Sequence, residues 1–235
     1  MVAPSFPEIP FSAADFRLAE AFTVAARQLH EPGGSRATLR TAVRLAVHLV
    51  PGADHAGIVK VDHDLEPETV SWSDDVARSA LALTNSHLPW EKLWTAPAAT
   101  LPDTSAVQGP GQGLALLGVR SVLALRLRAE RRRVTALVLY GRMPGDDDGP
   151  SVRVGRMLAT HVSLAHESAT VQEQLTEAMR TRDLIGQATG LLMAHQQVDA
   201  AQAFAHLVRT SQQENIKLRD LAQRYVEAAA PGRHA

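Results

Sequence analysis

The proline and glycine content of the chain changes sharply at Pro150. Before this residue, prolines and glycines interrupt the chain at short intervals. Between Pro150 and Pro231 the chain contains only Gly155, Gly186 and Gly190 of these two residue types. Since proline breaks helices and glycine weakens them, the later stretch favours helix. We therefore predict a mixed N-terminal part and a helical C-terminal part.

The N-terminal part predicts helices and strands in an order typical of an α+β domain. Helices are expected over 13–30, capped by Ser12, and from a cap at Ser35 to Pro51. Strands are expected at 56–62 and 68–72, a helix over 74–87, a loop over 95–112, and a hairpin of strands 121–128 and 134–142. This order favours a mostly antiparallel sheet with flanking helices.

Composition and charge exclude several classes of protein. The chain has 235 residues, a net charge of -1 and no cysteine, which excludes disulfide scaffolds, thiol catalysis, cysteine-ligated metals and a strongly basic coat protein. No set of residues indicates catalysis, so we expect neither an enzyme nor a bound cofactor or metal. The N-terminus lacks a secretory signal and no apolar run approaches the ~20 residues of a membrane span, so we expect a cytoplasmic protein.

Two segments of the N-terminal part carry a resemblance to a known family. They are ADHAGIVKVD (53–62), where a helix leads into a strand, and LGVRSVLALRLRAERRRVTALVLYGRMPGDD (117–147), which predicts the last hairpin of the sheet. Both resemble the corresponding parts of GAF domains. The resemblance implies a sensor domain over 13–165, after a flexible lead-in of residues 1–12, that binds a small molecule or serves in dimerisation.

Four side chains are candidates for a ligand pocket in this domain, although the tryptophans suit a hydrophobic core as well. They are Trp72, His87, Trp90 and Trp94. Without cysteine, no bilin can be attached through a thiol.

The first helix after Pro150 contains a weak heptad repeat. Its positions are Met157, His161, Leu164, Ser168, Val171, Leu175, Ala178, Arg182 and Ile185. Steps of four and three residues keep one seam facing a partner helix, which predicts a coiled-coil homodimer. The alternative is a helix that packs on its own domain. A helix over 151–195 is too long for one small domain to cover, which favours the dimer.

Two further helices are predicted after this one, giving a small three-helix bundle. Asp199 with Gln202 forms a capping-box-like start, and Asn215 is expected to cap the last helix. Gly190 is expected to permit a close approach of backbone or ligand. The predicted core of the bundle comprises Ile185, Ala188, Met193, Phe204, Leu207, Leu218 and Ala222.

The spacing of residues within 175–228 carries a second resemblance. The matching elements are Thr181-Arg182-x-x-Ile185, Ala188-x-Gly190-x-Leu192-Met193, Ala203-Phe204, Leu207, Ser211 and Asn215-x-Lys217-Leu218-x-Asp220-x-Ala222. This segment resembles the ANTAR domain, the RNA-binding module of transcription antitermination regulators. It departs from the family at Thr189, where the family usually has lysine. We assign residues 166–230 to a coiled-coil linker and this domain.

The resemblance implies binding to tandem stem-loops of nascent mRNA leaders, which prevents formation of a terminator. We expect Arg182, Arg209, Lys217 and Arg219 to contact phosphates or loop bases. Gln187, Thr189, Thr210 and Asn215 are candidates for hydrogen bonds to bases, and Gly190 would let the RNA approach. Residues 168–235 hold seven basic and seven acidic side chains, so their composition alone does not indicate RNA. The alternative function is a ligand-binding sensor whose helical tail docks a partner protein.

Overall fold

A computed structural model of the chain describes residues 12–62, 67–84, 90–107 and 110–229. Its contacts divide the chain into two units, one up to Thr170 and one from Val171. None of the helices in the described residues is long and apolar enough to cross a membrane.

The first unit is an α+β structure, as predicted. Its elements are α1 (Ala13–Leu29), α2 (Gly34–Leu49), β1 (His55–Asp62), β2 (Pro67–Trp72), α3 (Asp75–Thr84), α4 (Lys92–Thr95), β3 (Ala98–Leu101), α5 (Pro110–Leu116), β4 (Ser121–Ala129) and β5 (Arg133–Gly141). The five strands form one sheet in the order β2-β1-β5-β4-β3. Every neighbouring pair is antiparallel.

Both faces of this sheet are covered, which explains the nearly continuous apolar sequence of β5. Leu137 and Leu139 of that strand pack in a core with α1, α2 and the start of the following long helix. Val138 and Tyr140 point the other way, into a second core with α3, α4 and α5. This alternation follows from the two-residue period of a strand.

The long helix α6 (Pro150–Gln196) begins in the first unit and continues into the second. Its first glycine lies where α6 packs on the sheet: a Cβ at Gly155 would lie 2.8 Å from Leu125 Cδ1. A larger side chain there would require the Leu125 side chain or the helix to shift.

The second unit consists of the rest of α6 with α7 (Ala200–Glu214) and α8 (Leu218–Ala229). The capping box predicted at Asp199 and Gln202 begins α7. The buried core of this bundle comprises Ala188, Leu192, Ala203, Leu207, Leu221 and Ala222.

Several details of the predicted fold were wrong. The segment expected to be a loop over 95–112 contains β3, a short 3-10 turn at Thr104–Ala106 and the start of α5. The sequence AATL of β3 has little strand preference of its own, and its pairing with β4 makes it a strand. Ser35 does not cap α2, because that helix begins at Gly34, two residues before the predicted start, and has Gly33 at its N-cap.

Candidate nucleic-acid interface

The junction between α7 and α8 differs from its predicted form. Asn215 does not cap the start of α8. It ends α7 as a C-cap in the left-handed conformation (φ 52°, ψ 38°), which asparagine tolerates better than most residues. The Ser211 hydroxyl donates a 2.6 Å hydrogen bond to the Ile216 carbonyl and holds the turn closed. The Asn215 side chain is exposed and accessible for hydrogen bonding from outside.

Lys217 lies at the start of α8, where its carbonyl accepts hydrogen bonds from the backbone N–H groups of Asp220 and Leu221. Its side chain is exposed and forms no ion pair within the described residues. An unpaired ammonium beside a turn is well placed for a phosphate, because no internal contact has to break when the ligand binds.

Arg219 has different surroundings. Its Nη1 lies 2.9 Å from Glu177 Oε1 of α6, and its Nε lies 3.1 Å from Asp220 Oδ1. The hydrogen bond to Asp220, together with the contact to Glu177, raises the pKa of Arg219 above its usual value. This guanidinium therefore joins α8 to α6, and its charge is already balanced.

The outward face of α6 carries most of the candidates on that helix. Gly186 and Gly190 are exposed opposite the buried Ala188 and Leu192, and a Cβ at either glycine would meet nothing within 4 Å. Among the described residues nothing approaches either glycine closely, so the close backbone approach expected at Gly190 is not seen within the described part of the bundle. At Gly186 and Gly190 no side chain of the residue itself covers the backbone of α6 on this face.

The other candidates on α6 and α7 differ in their exposure to solvent. Arg182, Gln187 and Arg209 are exposed, and neither arginine forms an ion pair within the part of the chain that the structure describes. Thr189 and Thr210 are half-buried, and the Thr189 hydroxyl donates to the Ile185 carbonyl at 2.7 Å. Thr189 Oγ1 therefore has only its acceptor capacity left for a ligand.

Two residues that were predicted in the bundle core lie at its surface. Phe204 is 45% exposed and Met193 is 37% exposed. Phe204 lines an open groove of about 790 Å³ between α6 and α7, together with Thr181, Arg182 and Ile185. The amphipathic pattern of α7 places Phe204 at the edge of its apolar face, where sequence alone does not separate core from groove. This groove was not predicted.

The aromatic candidates of the first unit do not gather in one place. Trp90 is buried and Trp94 half-buried, and both pack in the core beneath α3, α4 and α5. Trp72 lies at the end of β2, is 42% exposed, and has the Arg78 guanidinium 5.4 Å from its ring centre. His87 lies outside the described residues.

The structure therefore defines a class of protein in which an α+β unit is joined by one long helix to a small helical module with exposed, unpaired cations. Residues 173–226 match the family model of the ANTAR domain. The C-terminal helices of this chain thus form an ANTAR domain, as the sequence predicted. A comparison with curated proteins finds no match.

Two solved phytochrome structures are similar in fold to most of this chain, and a third solved structure matches with a TM-score below 0.5. A bacteriophytochrome from R. palustris matches with 11% identity, covering 85% of this chain and 47% of that chain, at a TM-score of 0.56. The phytochrome photosensory core module of Stigmatella aurantiaca matches with 14% identity, covering 85% of this chain and 46% of that chain, at a TM-score of 0.54. The GAF domain of a sensor histidine kinase from Pseudomonas syringae pv. tomato matches with 18% identity. The match covers 72% of this chain and 95% of that chain, at a TM-score of 0.48.

This chain spans about half the length of the two phytochromes that it matches. At such low identity the likeness concerns the fold alone. It agrees with the α+β architecture and antiparallel sheet expected from the sequence.

Proposed function

We propose that this protein is a signal-responsive RNA-binding antiterminator that binds paired stem-loops in nascent mRNA leaders in the cytoplasm. The observation that carries the proposal is the ANTAR match over residues 173–226. The exposed and unpaired Arg182, Arg209 and Lys217 support it, because cations without internal partners are available to phosphates. By holding the stem-loops, the protein would prevent the competing terminator from forming.

The remaining candidates for RNA binding differ in the kind of contact that each can make with the RNA. Gln187 and Asn215 are exposed amides that can donate and accept hydrogen bonds to unpaired loop bases. Thr189 and Thr210 are half-buried candidates for the same kind of contact, and the exposed backbone at Gly190 would let a base or sugar come close. Arg219 would exchange its bond to Glu177 for one to the RNA.

We propose that the protein acts as a homodimer through a coiled coil of α6. Met157, Leu164, Val171 and Leu175 lie along α6 at steps of seven, seven and four residues, and all four side chains are exposed. An exposed seam with this spacing is typical of helices that pair with a second copy. A dimer would present two bundles to two linked stem-loops, which raises the effective concentration of the second contact.

The sensor role rests on the continuity of α6, which begins in the first unit and ends in the ANTAR domain. A ligand of the α+β unit would change RNA binding only if it bound two arrangements of this helix unequally. Titration of candidate ligands while the oligomeric state is followed tests this part of the proposal.

Transcription in vitro tests the proposed function directly. A template with a two-hairpin leader before an intrinsic terminator is transcribed with and without the protein. We expect the protein to increase readthrough, and to have no effect when both loops are replaced by sequences of equal length. Unchanged readthrough at saturating protein would contradict antitermination.

One observation favours the alternative of a partner protein. The groove between α6 and α7 is lined by the exposed ring of Phe204, and such grooves accept apolar side chains of a second protein. Absence of any preference of the full chain for two-hairpin RNA over random RNA would favour the partner-protein alternative. RNA binding that Phe204→Ala and Lys217→Ala both leave intact would instead place the RNA site away from these two residues.

A further inference from the structure

A groove of the α+β unit has been assigned no ligand so far, although it is lined in part by Trp72, one of the candidates for a ligand pocket. It has a volume of about 610 Å³ and lies between α2 and the strands β1 and β2. Its lining includes Arg36 and Arg40 of α2, Lys60 of β1, and Glu68 and Trp72 of β2. It is distinct from the core that holds Trp90 and Trp94, because Lys60 alternates along β1 with Val59 and Val61, which point into that core.

The groove has an excess of positive charge. Arg36, Arg40 and Lys60 form no ion pair within the described ranges 12–62, 67–84, 90–107 and 110–229. Glu68, the cross-strand neighbour of Lys60, is the one carboxylate among the lining residues that the structure describes, and the first turn of α2 contains no acidic residue. Three cations and one carboxylate give these described side chains a formal charge of about +2.

This arrangement is unfavourable without a ligand. Arg36 and Arg40 lie one turn apart on the same face of α2, where like charges repel. Lys60 is half-buried on the facing strand and adds a third positive charge to the same groove. An anion between α2 and β1 would relieve this repulsion.

The chemistry of the lining points to one class of anion. A phosphate monoester carries a charge of about -1.5 to -2 at neutral pH and three acceptor oxygens, which suits two guanidinium groups and an ammonium. An internal phosphodiester of RNA carries only one charge. The Trp72 ring is 42% exposed and has the Arg78 guanidinium over one face, and the rest of the ring offers an apolar surface for an organic group attached to the phosphate. The volume lies within the ~300–1,000 Å³ usual for small-molecule sites.

We propose that this groove binds a small organic phosphate monoester, with Arg36, Arg40 and Lys60 holding the phosphate and Trp72 contacting the organic group. The inference does not depend on RNA binding by the ANTAR domain. His166 of α6 also lines the groove, so a bound ligand would touch the helix that continues into the ANTAR domain.

Phenyl phosphate is a suitable probe because it combines a dianionic monoester with an aromatic ring. Isothermal titration of the full chain at low salt should give saturable binding, and phenyl sulfate, a monoanion of similar shape, should bind at least fivefold more weakly. The double variant Arg36→Ala/Arg40→Ala should lose at least tenfold in affinity. Arg44→Ala is the matched control: it lies one turn further along α2, does not line the groove, and should bind as the wild type does.

Tryptophan fluorescence provides a second readout. Phenyl phosphate should change the emission, and Trp72→Phe should abolish that change while inorganic phosphate still binds. Equal affinity of the double variant and Arg44→Ala, or no saturable binding at all, would overturn the proposal. If two-hairpin RNA displaces phenyl phosphate and the double variant loses RNA affinity, the groove serves RNA phosphates and the small-ligand assignment is wrong.

Discussion

At the scale of single residues, the cations of the ANTAR domain differ in what surrounds them. Lys217 has no internal ion pair among the described residues, whereas Arg219 joins α8 to α6 through Glu177. We predict that Lys217→Ala weakens RNA binding and lowers the salt dependence by about one counterion, with an unchanged Tm.

Arg219→Ala should weaken RNA binding and lower the Tm as well. Both should remain dimers. Unchanged affinity in both variants would remove these residues from the RNA site.

Asp74 gives a residue-scale prediction for the α+β unit. Partial burial raises the pKa of Asp74, but hydrogen bonds from the Ala77 N–H, His55 and Ser73 outweigh burial and lower it below its usual 3.8. The folded state therefore holds its proton less tightly than the unfolded state, and the stability contributed by the ionised carboxylate is lost as the pH falls below 3.8. Asp74→Ala should cost about 1 kcal/mol at pH 7, since the Ala77 N–H in the first turn of α3 then loses the Asp74 Oδ1 acceptor that lies 3.0 Å away. Thermal melts should show this difference shrinking below that pH; a constant difference would contradict the account.

At the scale of elements, α6 contains glycines of two kinds. Gly155 lies close to the Leu125 side chain, whereas Gly186 and Gly190 have no atom of the described residues within 4 Å of an added Cβ. We predict that Gly186→Ala and Gly190→Ala each stabilise the helix by about 1 kcal/mol, as measured by thermal unfolding. Gly190→Ala should in addition weaken RNA binding, because the added methyl group obstructs the approach. If Gly190→Ala stabilises the protein and binds RNA unchanged, that glycine is not in the interface.

The seam of α6 gives the second element-scale prediction. Leu175 is 61% exposed and lies in the heptad, whereas the adjacent Thr176 lies outside it. Leu175→Glu should convert the dimer into a monomer, because a charge in the seam loses its hydration when the helices pair. Thr176→Glu adds the same charge one residue away and should remain dimeric. Light scattering after size exclusion distinguishes the two. A monomeric wild type, or a dimeric Leu175→Glu, would contradict the coiled coil.

The elements that the sequence predicted well are those with strong local patterns. The hairpin of β4 and β5 follows from two runs rich in valine and leucine, and α6 follows from the absence of proline. β3 could not be predicted, since its strand conformation depends on pairing with β4. The surface positions of Phe204 and Met193, and the role of Asn215 as a C-cap, depend on helix packing and turn geometry that a linear pattern does not encode.

At the scale of the whole molecule, the proposed function requires two bundles on one RNA. A monomeric bundle has few unpaired cations for phosphates, so one stem-loop alone should bind weakly. Linking two sites through the dimer raises the affinity for a tandem target without any new contact. The account therefore predicts that affinity depends on both stem-loops and on the dimer.

Equilibrium binding of the full chain to three RNAs of equal length tests this claim most directly. The RNAs carry two hairpins, one hairpin, or a random sequence, and each is titrated at several salt concentrations. The account predicts at least tenfold tighter binding to the two-hairpin RNA than to either of the others, and loss of that advantage in Leu175→Glu. Equal affinity for the two-hairpin and the random RNA at every salt concentration would contradict the account.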